Sequence, residues 1–234
     1  MMDMRRKTLK KTYKVAIHQP EFLPWCGFFY KMKRSDIFIL YDLAQYNKQD
    51  FQNRNILCCN NMFKYISVPV QKCSSKSLIK DIKVIHNNAW QKKIKNQVDS
   101  YYKKSKFFNE INDILSIIWE FEWESLVDLN IALLKRISKY LGIDTNILLS
   151  SKVVKDINQF SRCSASEKNM ILCSNVNADI YLSGAYGKEY LDEKEFKNNS
   201  IKVEYLDYPY KKEKNYSIVN YLFSEGKGVA NNRL

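Results

Sequence analysis

Between Trp90 and Leu141 the chain contains neither proline nor glycine, while on either side short apolar runs alternate with helical patterns. That contrast restricts the fold more than any other feature. Leu126, Leu129, Leu133, Leu134, Ile137, Tyr140 and Leu141 follow the helical period, and Gly142 stands where a C-cap glycine belongs. The stretch reads as two or three helices. Before it, residues 14–18, 36–42, 64–70 and 79–86 read as strands, with a helix at 26–34. Pro69 pushes the third of these toward a sheet edge or strand end. After Gly142 come a strand ("NILLSS"), a helix at 165–176, a strand ("DIYLSG"), a helix at 190–198, a strand ("IKVEYLDY") and a helix at 216–224. Strand–helix alternation at both ends predicts an α/β fold. The expectation is a Rossmann-like, mainly parallel sheet flanked by helices, with a helical section at about 88–142. One domain would span 14–226, between a flexible basic tail at 1–13 and a second tail at 227–234.

Composition removes several function classes. Hydrophobic residues make up 45% of the 234, which excludes a disordered chain. No apolar run approaches the roughly 18–20 residues of a membrane span. The basic N-terminus has no apolar segment behind it, so the cytoplasm is the default location. Six cysteines without a C-x-x-C, and two histidines, argue against structural zinc or a disulfide framework. The net charge of +13 comes from 31 Lys and only 7 Arg, beside 22 Asn. Base and phosphate readers lean on the bidentate Arg fork. The excess therefore reads as coding drift rather than a nucleic-acid footprint, and a polyanion-binding protein is kept as the non-enzymatic rival.

In parallel sheets, ligands bind beyond the carboxyl ends of strands. Four clusters fall there. His18-Gln19-Pro20, with Trp25 and Gly27, follows the first strand. The segment 41–55 offers Asp42, Gln45, Tyr46, Lys48, Gln52, Asn53, Arg54 and Asn55. "SGAYGKEY" carries Gly184, Gly187, Lys188 and Tyr190, but no P-loop pattern. "YPYKK" follows the last strand. Each cluster has a bland alternative. His18 can be a satisfied core histidine, and 41–55 a capped surface turn. Cys26 beside His18 is a weak candidate nucleophile, since nothing lowers its pKa in sequence.

Taken together, "IHQPEFLPWCGFFYKMKRSDIFILYDLAQYNKQDFQNRN" closely resembles the opening of the WbqC-like family, with its HQP-x-x-x-P-W-x-G element and closing Q-N-R-N. "YISVPV", "DIYLSGAYGKEYLDEKEF" and "YSIVNYLFSEG" resemble later family motifs, so the likeness runs from about 14 to 226. Two positions depart from the pattern. Tyr208-Pro209-Tyr210-Lys211 lacks the family's histidine and glutamine, and Asn220 replaces its closing aspartate. The resemblance implies a role in O-antigen, capsule or other surface-glycan assembly. The order of elements also resembles nucleotidylyltransferase and pantothenate synthetase enzymes, an analogy of fold alone. It implies acyl or aminoacyl transfer to the amine of a nucleotide-linked amino sugar, through an ATP-derived adenylate. His18, Lys48 and Arg54 would be catalytic. Gln19, Trp25, Asp42, Gln45, Tyr46, Asn53, Asn55 and Tyr190 would bind substrate, and Gly184, Gly187 and Lys188 the nucleotide. Mg²⁺ would follow ATP, with Asp42 as its ligand. A CoA thioester donor without ATP is the alternative.

Overall fold

The computed structural model describes residues 12–59, 62–87, 89–210 and 216–234. Five strands form one parallel sheet: β1 (Lys14–His18), β2 (Ile37–Leu40), β5 (Asn146–Leu149), β6 (Ile180–Gly184) and β7 (Lys202–Leu206). Their order is β5-β2-β1-β6-β7. The first strand is therefore central. The chain winds outward through β2 and β5, then returns to the other side of β1 for β6 and β7.

Alternation along the strands divides the core. Ala16, Phe38, Leu40 and Leu182 face one layer, while Val15, Ile17, Ile39 and Tyr181 face the other. The first layer holds α1 (Cys26–Lys33), α2 (Ala89–Tyr102), α3 (Phe108–Leu115), α4 (Ile117–Glu120) and α5 (Leu126–Leu141). Beyond α6 (Ser150–Val153), the second holds α7 (Ile157–Arg162), α8 (Ala165–Asn175) and α9 (Glu193–Asn198). The first layer also takes α10 (Val219–Glu225) and α11 (Val229–Asn232). Full burial of a side chain such as Phe38 is worth about 1.5–3 kcal/mol. The leucine stripe at 126–141 is one helix, opened by a Ser125 cap and closed by Gly142 at φ 69°.

Several expectations shift. The segment 90–141 makes four helices, because breaks at 103–107 and 121–125 need no proline or glycine. Residues 79–86 are not a strand: Ile79–Asp81 is a 3-10 turn, and Lys83 and Val84 make only isolated bridges. Residues 64–70 contribute to β4 (Met62–Ser67), which pairs antiparallel with β3 (Arg54–Cys59) as a separate two-stranded ribbon. Residues 227–234 fold back onto α1, where Lys33 Nζ donates to the Ala230 carbonyl and Arg34 donates to that of Leu234. The first eleven residues of the expected N-terminal tail lie outside the described residues. No helix among the described residues is long and apolar enough to cross a membrane.

Candidate functional site

The strand order reverses between β1 and β6, and at that switch point a crevice opens beyond the carboxyl ends. Its volume is about 520 Å³, and its wall includes His18, Gln19, Glu21, Lys31, Asn169, Ser183 and Tyr190.

His18 is the last residue of β1, and its ring edge packs on Phe28 with centroids 4.8 Å apart. Nδ1 lies 3.1 Å from the Gln19 carbonyl oxygen. A carbonyl only accepts, so the neutral ring carries its proton on Nδ1, and Nε2 keeps a free lone pair. Burial, with the Lys31 charge beside it, pushes the imidazole pKa down to about 4. Its side chain is still 27% exposed, so the crevice reaches the ring.

Glu21 is the acid counterpart. Oε1 lies 3.7 Å from His18 Nδ1, and Oε2 is buried with no hydrogen-bond partner among the described residues. Burial first, then the nearby Asp50 charge, raises its pKa to about 8. At neutral pH the carboxyl holds a proton and the imidazole is uncharged. The pair thus carries one transferable proton between groups whose environments push their pKa values apart.

Surrounding bonds hold these groups in place. Lys31, buried on α1, donates from Nζ to the Ile17 carbonyl at 2.7 Å, and burial lowers its pKa to about 8. Gln52 Nε2 donates to Gln19 Oε1 at 2.7 Å while Gln52 Oε1 accepts from Asn47 N, which fixes both amides. On the β6 side, Gly187 packs so closely that a Cβ would fall 2.0 Å from Ser183 Oγ. Asn169 of α8 donates to the Tyr190 hydroxyl at 3.2 Å. Tyr186, 80% exposed, stands at the rim.

The residues expected from sequence divide sharply. His18, Gln19, Gly184, Gly187 and Tyr190 meet in the crevice. Gln45, Tyr46 and Lys48 line an adjoining cavity instead. Asp42 is 1% exposed, and its carboxylate accepts from Ser150 Oγ, Ser151 N and Ser151 Oγ. It ties the end of β2 to the start of α6. Asn55 donates to the carbonyls of Phe22 and Leu23, bracing the turn where Leu23 takes φ 48° ahead of Pro24. Asn53 bonds the Val68 carbonyl, and Arg54 bonds that of Gln49 while lying over Tyr65. Lys188 reaches over the Tyr205 ring, 5.3 Å from its centroid. Trp25 packs edge-on to Tyr208, and Cys26 is buried in the core. Asn220 bonds the Cys58 amide and Tyr102, joining α10 to β3.

Glu21, Lys31, Asp50, Lys168, Asn169 and Ser183 line the crevice without having been singled out. Lys31 carried a signal: it sits three residues after Phe28 and one before Met32, within the buried stripe of α1. A lysine on an apolar helix face needs a partner.

A doubly wound α/β protein with an acid–base pair at its switch point is the class these features define. Residues 19–230 match the model of the WbqC-like protein family, and the chain belongs to that family. The uncharacterized protein Rv1507c of Mycobacterium tuberculosis is similar, 34% identical over 198 residues that span 83% of this chain and 82% of that protein. No solved structure matches the chain.

Proposed function

We propose that the crevice transfers an acyl or aminoacyl group to the amine of a nucleotide-linked amino sugar, as a cytoplasmic step in surface-polysaccharide assembly. The observation that carries the chemistry is His18, whose free Nε2 faces a ligand-sized crevice beside a protonated Glu21. The pathway rests on the family motifs. In the reaction, the amine nitrogen attacks the acyl carbonyl carbon, a C–N bond forms, and the bond to the leaving group breaks. His18 Nε2 takes the proton the amine loses, and Glu21 gives its own to the departing group. The imidazolium, now beside a carboxylate, returns its proton to Glu21 and restores the resting pair.

The donor follows from where the cations lie. An adenylate made in place from ATP would call on Lys48, Arg54 and Lys188, none of which lines the crevice, and on Asp42 for Mg²⁺. Asp42 is already bonded to Ser150 and Ser151, so these residues do not fit the ion. A preformed CoA thioester requires none of them, and the arrangement favours that reading. The test incubates the purified chain with nucleotide-linked amino sugars and either acyl-CoA or carboxylic acid with ATP and Mg²⁺, and follows amide formation by mass spectrometry. Amide from the thioester, lost in His18→Ala, is the expected result. Full turnover in His18→Ala would remove the assignment.

A further inference from the structure

A second cavity of about 600 Å³ lies against the crevice and shares Gln19, Asp50 and Gln52 with it. The rest of its wall comes from Gln45–Lys48, after β2, and from Cys73–Ser75. Amides and hydroxyls dominate this wall. Its cation, Lys48, and its carboxylate, Asp50, offset one another. A phosphate would call for an excess of cationic donors, and an acyl chain for an apolar wall. A monosaccharide presents many hydroxyls, each both donor and acceptor, and amides and hydroxyls match them in both directions.

Tyr46 supplies an independent sign of a ligand. It is only 5% exposed and lines the cavity, yet its hydroxyl is buried with no hydrogen-bond partner among the described residues. Leaving a hydroxyl unpaired costs free energy, which a ligand hydroxyl would offset. The walls are otherwise fixed: the Gln45 amide donates to the Ser75 carbonyl, and Gln52 to Gln19.

We infer that this second cavity is the acceptor subsite, holding the sugar ring and bonding it through Tyr46, with the amine directed past Asp50 toward His18. The direction of the amine rests on the acyl-transfer reading, whereas sugar binding does not. Two compartments sharing one polar partition suit a two-substrate transfer, because each partner can be oriented before the new bond forms.

Cys73 in the wall serves as a reporter. Its alkylation by iodoacetamide is followed by peptide mass spectrometry in the full chain. The probes are UDP-glucosamine, UDP-galactosamine, glucosamine, galactosamine and UDP alone. The amino sugars, linked or free, are expected to slow alkylation of Cys73, and UDP alone is not. Tyr46→Phe should raise the half-protecting concentration by about tenfold, the loss of one well-placed hydrogen bond, without lowering the melting temperature. Gln45→Ala should shift it the same way. Protection by UDP alone, no protection by any amino sugar, or equal protection in both variants and the wild type would overturn the subsite. Protection without amide formation from any donor would leave the subsite standing and remove the acyl-transfer reading. Amide formation without protection would do the reverse.

Discussion

His18 and Asp42 leave the carboxyl ends of neighbouring parallel strands, His18 pairing in register with Leu40 two residues before Asp42. Their surroundings differ in kind. Asp42 accepts three hydrogen bonds, which hold β2 against the start of α6. His18 keeps a ring nitrogen free, and Glu21 beside it keeps a buried oxygen unpaired. Polar residues at strand ends therefore divide by saturation. A saturated group holds the fold, and an unsaturated one is available to a substrate.

Substitution should separate the two regions. In amide-formation assays His18→Ala is expected to lower kcat by about 10²–10⁴-fold, the usual worth of a general base, with little change in melting temperature. Asp42→Ala should invert that pattern. It strands Ser150 Oγ and the Ser151 amide, and denaturant unfolding should show a loss of about 2–4 kcal/mol.

Glu21→Gln should act through pH. The folded carboxyl titrates near 8 against an ordinary 4.5, so its stabilising effect is full below about 4.5 and is lost as pH rises toward 8. His18, near 4 rather than 6.5, works the other way: its contribution is full above 6.5 and lost as pH falls toward 4. The two offset one another between 4.5 and 6.5, which leaves a net decline from 6.5 to 8. Thermal unfolding of Glu21→Gln should lack that decline, and the variant should be more stable at pH 8 by on the order of 1 kcal/mol or more. An unchanged decline would place the titration elsewhere. Smallest of all, Lys188→Ala should leave kcat/KM within about twofold, since its ammonium lies over Tyr205. A large loss would mean that this lysine swings into the crevice when substrate binds.

The doubly wound sheet was legible because the strands of a buried parallel sheet carry apolar runs and their connecting helices a longer period. The ribbon of β3 and β4 was not. Arg54 and Asn55 open β3 with side chains typical of a turn, and Phe63 and Tyr65 of β4 are exposed, so neither strand shows a clean buried face. At the site, His18 stood out because a histidine between a strand and two prolines is unusual. Glu21 and Lys31 did not, since in sequence they are ordinary charged residues. Burial alone makes them special, and burial depends on α1 and the 41–53 loop closing over the end of β1. The Q-N-R-N segment misled in the opposite sense. Its amides looked like substrate ligands, yet Asn55 braces the 19–25 loop and Asn53 the β4 side.

The chain has only two histidines, which makes His18 accessible to a direct measurement. Long-range ¹H–¹⁵N correlation spectra across pH 3.5–8, assigned with His86→Gln, report both tautomer and pKa for the remaining ring. A neutral Nδ1–H tautomer that takes up its proton only near pH 4 is the predicted result. An Nε2–H ring titrating near 6.5 would contradict the assignment of His18 as the base of the crevice.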